Sequence, residues 1–157
     1  MTDVPLIRNI SCGLDHSVLI TDTGEVFSTG QNEDGQLGLG DNTNRFEFNK
    51  VEYPFEAENI NVEDVECGMF HTYFSGSKIY TNEGKEIYVT GCNKQGSLGL
   101  GDFANRNVPV KLTGVAKQKP GITWKMECNA HSNSSYLIQT KEKNWIQRFW
   151  DSLFLGV

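Results

Sequence analysis

The chain has 157 residues, 14 of them basic and 20 acidic, giving a formal charge of −6. That length suits one domain with a core of ordinary size, and a content of 38% hydrophobic and 11% aromatic residues excludes a disordered composition. The acidic balance argues against nucleic-acid binding through a basic patch, because that affinity rests on Lys and Arg neutralising phosphates, and the basic cluster from Lys111 to Lys125 is thin.

Residues 1–10 contain Asp3, Pro5 and Arg8 and no apolar run of the length a secretory signal needs. No stretch approaches the roughly 20 apolar residues of a membrane-spanning helix. A cytoplasmic or nuclear setting is therefore expected, with the four cysteines reduced.

Taken in chain order, residues 6–11 are expected to form a strand leading into Cys12-Gly13-Leu14-Asp15-His16. Residues 17–21, rich in β-branched side chains, read as a second short strand. Asp22-Thr23-Gly24-Glu25 supplies a turn, and residues 26–29 return. A glycine-rich loop follows from Gly30 to Arg45, then a variable connection over 46–62 expected to hold an outer strand near 50–53. A strand over 62–66 leads to Cys67-Gly68-Met69-Phe70-His71. In this second unit, 73–74 and 79–81 approach a turn at 82–84, residues 75–78 read as a bulge or longer loop, and 86–90 return. A second glycine loop spans Gly91 to Arg106. Residues 108–112 are the expected outer strand, and 123–127 lead to Cys128-Asn129-Ala130-His131, a shorter copy without the glycine.

The repeat is long and in register. GQNEDGQLGLGDNTNR (30–45) and GCNKQGSLGLGDFANR (91–106) are identical at ten of sixteen positions. Four short strands for each unit of about 60 residues is the composition of a propeller blade. The Cys-Gly-x-x-His start, the strand–Asp-x-Gly–strand hairpin and the Gly-x-Asn-x-x-Gly-Gln-Leu-Gly-Leu-Gly-Asp loop together resemble the regulator of chromosome condensation repeat family. The resemblance runs from about Leu6 to Thr140 and implies the blades of a seven-bladed propeller. The expected fold is thus an all-β partial β-propeller over residues 1–140, with blade starts near 12, 67 and 128, followed by a tail over 141–157. About two and a half repeats cannot close such a ring. The expectation is a piece of a longer protein, closure by self-association or by another chain, or edges covered in a complex.

The glycine loops lack the Gly-Lys-Ser/Thr ending of a P-loop and the spacing of a dinucleotide loop. Gly35, Gly38 and Gly40, with Gly96, Gly99 and Gly101, are read as structural turn residues. Cys12 and His16, Cys67 and His71, and Cys128 and His131 are metal-ligand types, yet each pair sits on a different blade and no Cys-x-x-Cys occurs. With Gly13 and Gly68 they are read as structural repeat residues. No metal, cofactor or catalytic residue is expected.

The tail breaks the repeat. In KEKNWIQRFWDSLFLGV (141–157), apolar residues recur at helical spacing, Asn144 suits an N-cap and Gly156 a stop. A short amphipathic helix is expected. It docks either on the last blade or in a partner groove, with Trp145, Ile146, Phe149, Trp150, Leu153 and Phe154 as anchors. Few basic residues flank it, which argues against a membrane surface. Alternatively, residues 136–140 and 145–150 form the third blade's hairpin. The function expected from all this is a non-enzymatic protein-interaction or scaffold module. The family resemblance adds two others: guanine-nucleotide exchange on a small GTPase, and an accessory propeller within a larger protein such as a ubiquitin ligase.

Overall fold

The computed structural model describes residues 6–81, 84–113, 122–128 and 135–141. Among these the chain is all β, with ten strands in three antiparallel sheets. The first sheet is a meander of β1 (Ile7–Cys12), β2 (His16–Thr21), β3 (Val26–Gly30) and β4 (Arg45–Lys50). The second repeats it with β5 (Ile60–Cys67), β6 (His71–Lys78), β7 (Glu86–Gly91) and β8 (Arg106–Lys111). The third sheet contains β9 (Ile122–Cys128) paired with β10 (Ser135–Lys141). Successive meanders packed face to face are consecutive blades of a propeller. The expected amphipathic helix, with Trp145, Ile146, Phe149, Trp150, Leu153 and Phe154, lies outside the described residues, as does His131.

Three strand boundaries differ from the sequence reading. The first outer strand is Arg45–Lys50 rather than 50–53, because Gly30 pairs with Arg45 and Phe27 with Lys50. Residues 75–78 are neither bulge nor loop. They continue β6, with Gly76 opposite both Val62 and Glu86. The extra residue sits on the partner strand instead, where the register shifts between Val62 and Asp64. Residues 79–80, read as strand, are a turn after β6.

The main core lies between the first two sheets. Val18, Ile20 and Val26 of the first face Val62, Val65, Phe74 and Tyr88 of the second, with Val51 and Phe55 of the connection and Ile60 at the start of β5 closing the cluster. Phe55 meets Phe74 and Tyr88 edge to face, at centroid separations of 5.1 and 5.5 Å. A second cluster of Tyr73, Ile87, Val89 and Leu98 lines the opposite face of the second sheet. The second sheet thus buries apolar side chains on both faces.

Candidate functional site

Two elements recur in each repeat, and both are built from polar residues. The first is the Cys-Gly-x-x-His corner. In the first repeat the Gly13 N–H donates to His16 O at 2.9 Å; in the second, Gly68 N–H donates to His71 O at 2.9 Å. Each imidazole folds back over its own glycine, so a Cβ at Gly13 or Gly68 would run into the ring. The glycine is therefore required by close approach, not by a turn. The two corners abut, with Leu14 N–H donating to Met69 O at 3.2 Å.

His16 and His71 are buried. Both imidazoles are pushed down to about 4, chiefly by burial, and the neighbouring His71 lowers His16 further. His16 Nε2 lies 3.0 Å from Thr72 Oγ1, which donates to Gln36 O at 2.8 Å. Since that hydroxyl proton is committed to Gln36, His16 must donate from Nε2, which fixes the neutral Nε2–H tautomer. The Nδ1 of His16 is buried with no hydrogen-bond partner among the described residues. Thr72→Val removes the hydroxyl while keeping the shape and strands Nε2. It is expected to cost about 1–3 kcal/mol in a urea titration; an unchanged midpoint would exclude this inter-sheet link.

The second element is the glycine loop. Asn32 is its hub: Nδ2 donates to Asp41 O at 2.9 Å, Oδ1 accepts from Leu37 N–H at 3.0 Å, and its own N–H donates to Asn44 Oδ1 at 2.7 Å. Asp41 in turn accepts from Arg45 at 2.5 Å and from Thr43 N–H at 2.9 Å. The Arg45 guanidinium holds the Asp41 carboxyl below its usual range. The second loop repeats the pattern with Asn93, Asp102, Asn105 and Arg106. Gly35, Gly38 and Gly40 take φ of 85°, 72° and 86°, and Gly96, Gly99 and Gly101 take 75°, 68° and 82°. These backbones lie in the left-handed region that glycine alone enters freely. Leu37 and Leu98 plunge from the loops into the interior, fully buried.

The first loop grips the second sheet. Gly40 N–H donates to Asn107 O at 2.8 Å, Thr90 Oγ1 donates to Gly35 O at 2.9 Å, and Pro109 packs at Gly38. Asp34 accepts from Lys94 at 2.9 Å and from Asn105 at 2.8 Å. The polar network is thus a clamp between neighbouring blades. Lys94 is well exposed, so Lys94→Ala is expected to leave the melting temperature almost unchanged, checked by thermal melting at low and high salt.

Among the described residues the cysteines do not converge with the histidines as a metal centre. Cys12 is exposed at the end of β1 and accepts from Ser17 Oγ at 3.3 Å, whereas Cys67 is buried and its N–H donates to Ser11 Oγ at 3.0 Å. No group of three or more His, Cys, Asp or Glu residues with metal-binding geometry occurs among the described residues. Sequence reasoning singled out the glycines and passed over Asn32, Asp41, Asn44 and Arg45. Their identity with Asn93, Asp102, Asn105 and Arg106 at a constant offset of 61 was the available signal.

The outer surface carries large apolar side chains. Ile7, Ile10, Phe46 and Phe48 are exposed on the first sheet's free side, Leu6 is exposed just ahead of β1, and Tyr80 and Phe103 are exposed on a turn and a loop of the second repeat.

Comparison with known proteins agrees with this architecture. Models of the regulator of chromosome condensation (RCC1) repeat match residues 7–36, 23–75 and 86–128. The chain is 36% identical over 113 residues to the ultraviolet-B receptor UVR8 of Arabidopsis thaliana, covering 72% of this chain and 24% of that protein. It is 36% identical over 108 residues to the human X-linked retinitis pigmentosa GTPase regulator, covering 67% of this chain and 9% of that protein. The chain therefore spans a quarter or less of the length of these relatives. Among solved structures, yeast Prp20p, described with its binding to Gsp1p and histones, superposes with a TM-score of 0.64 at 16% identity, over 100% of this chain and 36% of that one. Human WBSCR16 gives 0.64 at 20% identity, over 92% and 33%.

Proposed function

The chain belongs to the regulator of chromosome condensation repeat family, and from that premise we propose that it is a non-enzymatic protein-interaction module completed or covered by a partner chain. The observation that carries this reading is the free side of the first sheet. Ile7, Ile10, Phe46 and Phe48 stand in solvent there, in a chain whose buried polar side chains are spent on holding one blade to the next. Contiguous apolar surface of this kind marks interaction sites. A photo-activated cross-linking residue at position 10 is expected to capture a discrete partner in cells, and one at position 80, on the far hairpin, is not. Equal capture at both positions, or none at position 10, would sink the reading.

A second reading has support from the relatives, one of which is named a GTPase regulator, while the solved Prp20p is described as binding Gsp1p. Exchange factors act by gripping a GTPase and need no catalytic side chain of their own, so this reading predicts accelerated nucleotide release from a small GTPase. Unchanged release across a GTPase panel leaves the scaffold reading alone. Deleting residues 144–157 separates the two roles proposed for the tail: lost stability with intact partner capture assigns it to the chain's own blades, and the reverse assigns it to the partner.

A further inference from the structure

The glycine loops and the Cys-Gly-x-x-His corners gather at one end of the two sheets, where His16 pairs with Gly30 and Gly30 with Arg45. The opposite end carries the turn between β2 and β3, the connection over 51–59 and the residues just after β6. Together these line an open cleft of about 270 Å³. Val26, Val51, Phe55 and Ile60, all buried, form its floor. Ile79 forms one wall, 58% exposed, and its N–H donates to Asn59 O at 2.9 Å, which ties the end of β6 to the connection. The cleft is smaller than the roughly 300–1,000 Å³ of a small-molecule site. It has room for one long side chain.

Three charged groups stand at its mouth. Lys50 Nζ lies 2.6 Å from Glu25 Oε1 and 2.6 Å from Glu56 Oε1. Comparing the repeats separates the two bonds. Shifting by 61 places Glu25 on Glu86 and Lys50 on Lys111, and Lys111 binds Glu86 in the same way. Glu25 with Lys50 is therefore a pair common to both repeats. It is also held in place, since Glu25 N–H donates to Thr21 Oγ1 at 3.1 Å and Thr23 Oγ1 donates to Glu25 Oε2 at 3.2 Å. Glu56 is the addition. It rides on a turn where its N–H donates to Glu52 O at 2.9 Å, beside Phe55, which is anchored against Phe74 and Tyr88. Its side chain is more than half exposed. Lys50 brings one charge to two carboxylates, so the mouth keeps one negative charge in surplus, and Glu52 is exposed one turn earlier.

An apolar floor beneath a surplus carboxylate suits a side chain with an aliphatic stem and a cationic head. A guanidinium is the better match among cations, because it is weakly hydrated and presents several N–H groups to a carboxylate that Lys50 occupies on one oxygen. Beyond the interaction reading above, and away from the free face of the first sheet, we propose that this cleft is a docking notch for one arginine side chain of a partner protein. The arginine stem lies on Val51, Phe55 and Ile79, and its guanidinium donates to Glu56 while Glu25 keeps Lys50. Lys50 thereby competes with the ligand for the charge that binds it.

The test uses the full chain and three peptides, acetyl-Gly-Ala-Arg-Ala-Gly-amide and its citrulline and glutamate counterparts, followed by backbone amide shifts in NMR titrations. The arginine peptide is expected to move the amides of Thr23, Glu25, Val51 and Ile79. It is expected to bind about three- to fivefold tighter than the citrulline peptide, the range of one partly exposed ion pair. Glu56→Gln is expected to erase that preference. Lys50→Ala is expected to strengthen arginine binding about twofold, because both carboxylates then face the ligand. Ile79→Ser is expected to weaken the arginine and citrulline peptides alike, which identifies the stem contact. All three positions are at least partly exposed, and unchanged amide spectra away from the cleft check that the variants keep the fold. Equal binding of the arginine and citrulline peptides by the unaltered chain overturns the proposal, as do shifts confined to other surfaces. Tighter binding of the glutamate peptide, or weaker arginine binding by Lys50→Ala, overturns it by making Lys50 the reader of an anion. The interaction reading fails separately, through absent partner capture at position 10.

Discussion

Lowering the pH from 6.5 to 5 is expected to destabilise the protein with a slope approaching two protons. His16 and His71 are buried with imidazoles pushed down to about 4, whereas an unfolded histidine titrates near 6.5. The folded value lies below the unfolded one, so between them the unfolded chain binds more protons. The stabilisation is complete above about pH 6.5 and is lost as the pH falls towards 4. Each shift corresponds to about 3 kcal/mol, a large part of what a domain of this size possesses. The mechanism is geometric as well as dielectric. Protonating His16 places a second N–H at Nδ1, which has no acceptor among the described residues, beside a second buried imidazole. Urea midpoints at pH 7, 6 and 5 check this; flat midpoints would contradict neutral buried histidines. The window belongs to the imidazoles because the carboxylates Glu25, Asp41 and Asp102 are lowered from ordinary values of 4.5 and 3.8 by their basic partners and add their loss at lower pH.

Asn32→Ala is expected to cost about 3–4 kcal/mol, against under about 1 kcal/mol for exposed polar substitutions on the same loop such as Asn42→Ala. Asn32 is fully buried, and its amide serves Leu37 N–H and the Asp41 carbonyl at once. Truncation leaves both groups without that partner and opens a gap beside Leu37, itself fully buried. Asn32→Asp keeps the acceptor for Leu37 but turns a donor into a carboxylate facing Asp41, so it is expected to be at least as harmful. Asn93→Ala repeats the experiment in the second loop, with the same bonds to Asp102 and Leu98. Chemical denaturation of the four variants checks the ordering, and equal midpoints for Asn32→Ala and Asn42→Ala would show that the loop is not held by this hub.

The architecture was legible because it is written twice. Ten identities in sixteen positions at a constant offset gave the loops, and the β-branched runs gave the strands between them. What could not be read was whatever pairing decides. Residues 45–53, RFEFNKVEY, alternate on either side of Asn49-Lys50, so periodicity alone does not choose between the two halves as the strand. Its place is fixed by the loop network, where Thr29 Oγ1 donates to Arg45 O at 3.0 Å and Gly30 pairs with Arg45. Residues 75–78 are small and polar and look like a loop in isolation. They stay extended because β5 pairs with all four and β7 with Ser75 and Gly76, with Gly76 so close to Asn61 O that a side chain there would collide. The clamp was half legible. Glycines draw attention as conformational specialists, whereas the Asn, Asp and Arg residues between them look like ordinary solvated loop residues until their bonds are seen.

The clamps also make protection a matter of rank in a line. Each meander is secured by its neighbours rather than by a common centre, as in a one-dimensional array. The second sheet has an apolar cluster on each face, whereas β1 leaves one face in solvent. Backbone amides of β6 and β7 should therefore be the last to exchange with deuterium and those of β1 the first, with opening progressing inward from the bare side. A chain built this way wears from its ends, and its lifetime in solution is set by what sits against its outermost sheet.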